Sequence, residues 1–336
     1  MSIKRFFARP YRFGILYSCV LTAATVFVLL DAFVIPKAYE NVQYENSQTS
    51  ATTSEITGTQ NAEAEVTEST AKQVETSDSN ADISGTTDTQ ARAKPVITET
   101  SYDDENISIN IETTRINDTT VHIADIIVKD VQYLKTALAN NQYGRNIDET
   151  TSEMASEHNA IFAINGDYYG FRDNGYVLRN GNLYRTGGEG EALVLDLAGN
   201  LTSVNESEIS EDIAGDAWQI WSFGPTLVED GEIAVGENSE ISGKSAKSNP
   251  RTAIGQIGPL HYVAIVSEGR TSENAGLSLY QLAEVFVSRG CTIAYNLDGG
   301  GSSTMVFNGQ VINNPTTNGR KIKEREVSDI IYVGYQ

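Results

Sequence analysis

Thr292-Ile293-Ala294-Tyr295-Asn296-Leu297-Asp298-Gly299-Gly300-Gly301-Ser302-Ser303-Thr304-Met305 runs from a short apolar stretch into a glycine turn rich in hydroxyls. Thr292 to Leu297 has the length and apolar content of a buried strand. Three glycines then allow the backbone to approach a ligand closely, and successive N–H groups in such a turn can cradle an anion. Thr304 to Val311 continues as a hairpin about Asn308-Gly309. Upstream, Leu277 to Ser288 has helical spacing, with Leu279, Leu282, Val285 and Phe286 apolar and Gly290 at its end. Downstream, Val327 to Val333 reads as a closing strand.

Working outward gives more of the same alternation. Ile107 to Ile111 and Thr120 to Val128 read as strands, and Ala160 to Ile164 as a buried strand ending in the turn Asn165-Gly166-Asp167. Gly175 to Arg185 suggests a hairpin about Asn180-Gly181. Ala192 to Leu197 and Leu201 to Val204 suggest another about Gly199-Asn200. Ile220 to Val228 leads to Asp230-Gly231, and Thr252 to Ile257 pairs with His261 to Val266 across Gly258-Pro259. Helices are expected at Val131–Ala139, at Glu149–His158 with a cap at Thr150 or Thr151, and at Ser207–Ala217. No internal repeat is evident. Strands outnumber helices and most neighbours are hairpins, which predicts an α+β domain with a mixed, mainly antiparallel sheet and flanking helices.

That domain occupies residues 101–336, a span long enough to bury a substantial core. Ahead of it lie three compositionally distinct segments. Residues 1–12 carry Lys4, Arg5, Arg9 and Arg12 and no acid. Residues 13–35 contain an uncharged run from Phe13 to Leu30, long enough for a transmembrane helix, and the basic flank belongs on the cytoplasmic side. The domain is therefore expected outside the cell membrane on a single-pass anchor. A cleaved signal peptide would need a small-x-small site, and Pro36-Lys37-Ala38 is a poor one. Residues 36–100 are rich in Ser, Thr, Glu, Gln and Ala, with 11 acids against Lys37, Lys72, Arg92 and Lys94, and read as a disordered acidic linker.

Charge and composition exclude several functions. The net charge of −21 argues against nucleic-acid binding, which needs a basic footprint. Cys19 lies in the apolar run, so Cys291 has no partner for a disulfide within the domain. His122, His158 and His261 form no HExxH or HxH pattern, so no zinc site or other cofactor is expected. The glycine turn lacks the lysine of a P-loop and the following helix of a dinucleotide fingerprint, and there is no Gly-x-Ser-x-Gly elbow. What it offers is Asp298 at a strand end, the N–H groups of Gly299, Gly300 and Gly301, and the hydroxyls of Ser302, Ser303 and Thr304.

Asn296 to Met305 resembles the signature loop of the phosphodiester glycosidase family. In family order, Ala163-Ile164-Asn165-Gly166, Ser222-Phe223-Gly224-Pro225, Asn249 to Gly255, Glu268-Gly269-Arg270 and Arg325-Glu326-Val327-Ser328-Asp329 resemble its other motifs. The resemblance spans about Ile107 to Val333. Asp167 stands where the family usually has a second glycine, Tyr168-Tyr169 replace Phe-Phe, and Glu268 replaces Asp. The resemblance implies hydrolysis of the bond between a sugar's anomeric carbon and a phosphodiester oxygen. An anionic diester calls for a guanidinium fork, for which Arg251 and Arg270 are candidates. An oxocarbenium-like transition state calls for a carboxylate, from Asp298, Asp167 or Glu268. Asn165, Gly166 and Tyr168 belong to the same expected binding surface, the tyrosine as a stacking ring for the sugar. The expected substrate is a glycosyl phosphodiester or envelope polysaccharide. Two other readings use the same residues: a carbohydrate- or wall-binding module without turnover, and a metal-dependent phosphodiesterase cutting P–O.

Overall fold

The computed structural model describes residues 10–39, 94–237 and 248–336. Most of the basic flank and of the acidic linker lies outside the described residues. Helix α1 (Pro10–Phe33) contains, from Gly14 to Phe33, a span long and apolar enough to cross a membrane. The strands that follow are β1 (Lys37–Ala38), β2 (Val96–Ile97), β3 (Ser101–Asp103), β4 (Ile107–Ile116), β5 (Thr119–Val128), β6 (Leu134–Leu138) and β7 (Gly144–Arg145). Helix α2 (Thr151–Glu157) precedes β8 (Phe162–Asn165), β9 (Val177–Arg179), β10 (Asn182–Arg185), β11 (Glu191–Asp196) and β12 (Leu201–Asn205). After α3 (Glu211–Gly215) come β13 (Ala217–Trp221), β14 (Thr226–Glu229), β15 (Glu232–Ile233), β16 (Arg251–Gly258) and β17 (His261–Ser267). Helix α4 (Leu279–Ser288) leads to β18 (Ile293–Asn296), β19 (Met305–Phe307), β20 (Gln310–Val311) and β21 (Asp329–Val333).

These strands form a nine-stranded sheet, ordered β15-β14-β18-β16-β17-β5-β4-β3-β2, and two five-stranded sheets, β20-β19-β8-β21-β6 and β10-β9-β13-β11-β12. Neighbouring strands in all three sheets pair antiparallel. The largest core cluster draws on all three sheets, including Ile109, Ile126, Ile164, Leu193, Trp221, Tyr295 and Ile331. Helix α4 closes one side of the large sheet, burying Leu279, Leu282, Val285 and Phe286 against Ile123, Val263 and Ile265. Its C-cap is Arg289, and Gly290 follows with φ +78, as a C′ glycine should. Helix α2 sets Met154 and Ala155 against Ala163 and Ile330 of the second sheet. The hairpin turns Asn180-Gly181, Asp230-Gly231 and Asn308-Gly309 each place both residues at positive φ, the geometry that fits a two-residue turn to twisted strands.

Three local expectations are corrected. Val131–Ala139 is not a helix: after one 3-10 turn at Val131–Tyr133 the chain becomes β6, paired with β21. Leu134 and Thr136 are buried while Lys135 is not, so strand alternation outweighs helical spacing here. Ser207–Ala217 shrinks to a 3-10 turn at Glu206–Glu208 and the short α3, because Ala217 already belongs to β13. Ile220–Val228 splits into β13 and β14 around Gly224-Pro225, where proline has no N–H for a ladder. The ends of the segment assigned to linker also enter strands, β1 pairing with β7 and β2 with β3.

A structural echo crosses the sequence. Helix α2 starts with a capping box, Thr150 with Glu153, and α4 with another, Ser278 with Gln281. Each helix feeds a fully buried strand, β8 or β18, that ends in Asn-x-Asp: Asn165-Gly166-Asp167 and Asn296-Leu297-Asp298. A 3-10 turn follows each aspartate, at Tyr169–Phe171 and Gly300–Ser302. Side-chain identities differ too much between the two units for this to show as a sequence repeat.

Candidate active site

The two Asn-x-Asp ends meet. Asn165 donates from Nδ2 to the Asp298 carbonyl at 2.7 Å, and its Oδ1 accepts from the Thr252 hydroxyl at 2.8 Å and from the Thr304 N–H at 3.3 Å. The Asp298 N–H donates to the Gly166 carbonyl at 3.3 Å. Asn165 thus ties β8, β16 and both flanks of the glycine turn together from a fully buried position.

Asp298 is held by three donors. Its Oδ1 accepts from the Gly299 N–H at 2.9 Å, and its Oδ2 accepts from the Ser302 hydroxyl at 2.5 Å and from Arg325 Nη2 at 3.0 Å. Arg325 also donates through Nε and Nη2 to the Ser302 oxygen. Burial raises the Asp298 carboxyl above the ordinary carboxylate range, and the Arg325 charge with the Ser302, Arg325 and Gly299 hydrogen bonds pulls it back only partly. Gly300 has φ +64, and a Cβ there would lie 2.7 Å from Arg270 Nη2, so only glycine lets that guanidinium lie against the turn.

Two further arginines lie near the turn: Arg270, whose charge Asp298 feels, and Arg251, next to Arg270. Arg270 sits at φ +63, an uncommon conformation for a non-glycine residue, and donates to Asn249 Oδ1 and to the Thr317 carbonyl. Burial and then the neighbouring Arg325 charge lower its pKa, with Asp298 opposing. Arg251 is buried, with Nε donating to the Leu277 carbonyl at 3.1 Å, and burial followed by the Arg270 charge draws it down to about 10. The Pro250 carbonyl accepts from the Gly300 N–H at 2.8 Å, so β16 brings Arg251 directly beneath the turn. Arg270 and Arg325 together place two guanidiniums around the Asp298 carboxylate.

The other expected carboxylates have different surroundings. Asp167 is buried, its Oδ2 accepting from Arg179 Nη2 at 2.8 Å and from the Ser222 N–H, its Oδ1 from the Tyr169 N–H. Arg179 also donates from Nε to Asp329 Oδ2 at 2.9 Å. Glu268 accepts from Asn274, from the Asn314 side chain and N–H, and from His122 at 3.4 Å. Burial works against its charge, but the His122 and Asn314 hydrogen bonds prevail and hold it below its usual value. Side-chain exposure separates the three: 13% for Asp298, 6% for Glu268 and 0% for Asp167. Asp298 is the least buried of the three.

Around the turn, the Ser303 and Thr304 hydroxyls are buried with no hydrogen-bond partner. Gly299 passes its carbonyl to Arg325 at 3.5 Å, and Gly301 packs on Thr317. Tyr168 stacks on Phe171 at 4.7 Å; burial first, then the Asp298 charge, raises its hydroxyl pKa, so the ring pair flanks the carboxylate. Arg325 and Asp329 stand in one of the motifs that carry the resemblance but are not among the expected site residues, and Arg179 belongs to none of them. Their partners are 27, 12 and 150 residues away in sequence, a relation no local pattern shows. Among the described residues, no three His, Cys, Asp or Glu side chains are grouped to hold a metal ion.

The antiparallel α+β framework thus presents an Asp–Ser–Arg cluster on a triple-glycine turn. The phosphodiester glycosidase family matches residues 158–334, and the chain belongs to that family. It is 31% identical over 209 residues to the SPbeta prophage-derived uncharacterized protein YomE of Bacillus subtilis, covering 58% of this chain and 31% of that one. It is 29% identical over 144 residues to human N-acetylglucosamine-1-phosphodiester alpha-N-acetylglucosaminidase, covering 42% of this chain and 26% of the human protein. The chain thus spans under a third of the length of these relatives. Among solved structures, the zebrafish N-acetylglucosamine-1-phosphodiester alpha-N-acetylglucosaminidase catalytic domain, auto-inhibited by its pro-peptide, superposes with a TM-score of 0.55 at 20% identity, over 68% of this chain and 83% of that one. A hypothetical protein from Synechocystis gives 0.52 at 14% identity, over 68% and 62%. These two establish the shared fold.

Proposed function

We propose that the chain is a membrane-anchored extracellular hydrolase that cleaves the anomeric C–O bond of sugar-1-phosphodiesters in cell-envelope polysaccharide metabolism. Family membership supports a hydrolase of sugar phosphodiesters, and α1 with its basic flank supports the anchor. The observation that carries the reading is Asp298: a strand-end carboxylate, mostly buried and raised by that burial, bonded to Arg325 and with the Arg270 charge close by. A phosphodiester carries one negative charge, and Arg270 with Arg325 supplies a fork for it. The Gly299 and Gly300 N–H groups are already committed to Asp298 and to the Pro250 carbonyl, so the turn serves to fix the carboxylate, while the buried Ser303 and Thr304 hydroxyls beside it keep unused hydrogen-bonding capacity. Once the phosphate is held there, Asp298 acts on the anomeric carbon, as base for water or as nucleophile. A phosphate leaving group needs little acid assistance, which suits a site with one candidate carboxylate less buried than the others. Asp167 and Glu268, bound on all sides, serve as braces for the turns that carry Tyr168 and Arg270.

Asp298→Asn tests this directly. It keeps the shape and the Gly299 and Ser302 contacts but loses charge and basicity. Turnover of a glycosyl phosphodiester should fall by about 100-fold or more, the scale of general acid–base assistance. Binding should persist, because the arginines remain. Near-normal kcat would remove Asp298 from the chemistry.

A further inference from the structure

The segment leaving α1 does not run straight into the acidic linker but is fixed to the domain. Lys37 and Ala38 form β1, opposite Arg145 and Gly144 of β7. The Tyr39 N–H donates to the Tyr143 carbonyl at 2.8 Å, and the two rings lie 5.8 Å apart. Asn146 donates from Nδ2 toward the Ala32 and Ile35 carbonyls at 3.4 and 3.2 Å, so a domain side chain caps the C-terminal end of the helix. Lys37 closes the turn by pairing with Asp31 at 2.7 Å. Gly144 shows how close the fit is: a Cβ there would lie 1.9 Å from the Lys37 carbonyl oxygen.

This seat reaches the site. Tyr143 stacks on Tyr169 at 5.4 Å, and the Asn146 N–H donates to the Gly170 carbonyl. Tyr169 and Gly170 belong to the 3-10 turn that carries Phe171, the ring stacked on Tyr168 beside Asp298.

We infer that β7 and Asn146 form a docking surface for the chain's own helix-exit segment, residues 32–39, which seats the catalytic domain on its anchor. The chain thus meets the domain at Lys37–Tyr39 directly after α1, so the domain is held to the helix ahead of the acidic stretch rather than only beyond it. A flexible spacer of that length would have let the domain range on the order of 40 Å. With the seat made, the domain works at the membrane surface, and its substrates are glycosyl phosphodiesters that reach that surface. The membrane part of this inference rests on the anchored reading above, whereas the docking does not.

The test places cysteines at the facing positions Lys37 and Arg145 in the full chain, with a protease site inserted near residue 70. After mild oxidation and cleavage, anchor and domain fragments should remain joined on a non-reducing gel. The yield should exceed by about tenfold or more that of Lys37→Cys paired with Glu232→Cys on β15, because docking raises the effective concentration. Gly144→Val should lower the Lys37–Arg145 yield about tenfold, since a side chain cannot share the space of the Lys37 carbonyl. Equal yields for the two pairs in detergent and in membranes would overturn the docking. Protease added to intact cells tests the anchored topology separately: domain protected from protease but still joined to the anchor would remove the membrane reading and leave the seat.

Discussion

Arg270 and Arg325 divide the work at the candidate site differently from the pair first suggested by sequence. Arg251 is buried beneath the turn and bonded to the Leu277 carbonyl, whereas Arg325 is 39% exposed and touches Asp298 itself. Arg270→Ala and Arg325→Ala should each cost about 2–5 kcal/mol in transition-state binding to a phosphodiester, on the order of 30-fold or more in kcat/KM, with little change in Tm. Lysine at either position should restore only part of this, because an ammonium cannot reproduce the fork. Kinetics on a neutral aryl glycoside make the control, and an equal loss there would mean the arginines do not hold phosphate. A second residue-scale prediction concerns Asp329. Burial, ahead of its pairing with Arg179, pushes its carboxyl up to about 8. The folded state therefore keeps a proton that an unfolded aspartate releases near pH ~3.9. This contribution to stability is complete below that value and is lost as pH rises through about 8. Melting temperatures of wild type and Asp329→Asn between pH 5 and 9 check it: the wild type should decline more steeply with pH, and parallel curves would contradict the assignment.

At the scale of elements, the site is a junction of strand ends. Strand β18 carries Asp298, β16 carries Arg251, β17 leads to Glu268 and Arg270, and β8 supplies Asn165 to hold them in register. Asn165→Ala leaves the Asp298 carbonyl and the Thr252 hydroxyl without that partner, at a cost of about 1–3 kcal/mol for each buried group left unpaired. Both Tm and kcat should fall, while Thr252→Val, which removes one contact and leaves Asn165 on Asp298, should lower Tm with a smaller loss of kcat. Equal kcat losses in the two variants would show that Asn165 does not position Asp298. The elements themselves were mostly legible. Asn-Gly turns announced their hairpins, Thr150 announced α2, the apolar spacing of Leu279, Leu282, Val285 and Phe286 with Gly290 announced α4, and a short apolar run announced β18. Leu134–Leu138 was misread because five residues fit both periods, and pairing with β21 decides between them only in three dimensions.

For the whole molecule, the sequence divides by composition into a basic flank, an apolar run, an acidic stretch and a domain, but the bounds it gives place β1 and β2 inside the linker. It also led to Asp298, because three glycines at a strand end mark a place where backbone must be open. It could not show that Arg325 closes on Asp298, that Arg179 joins Asp167 to Asp329, or that Asn146 caps the end of α1, 111 or more residues earlier. Those relations are tertiary and are carried by single long side chains. The central claim, attack at the anomeric carbon, is tested most directly by hydrolysing a glycosyl phosphodiester in water enriched in heavy oxygen and weighing both products. The account predicts that label enters the sugar and the released phosphate stays unlabelled. Label in the phosphate would contradict it.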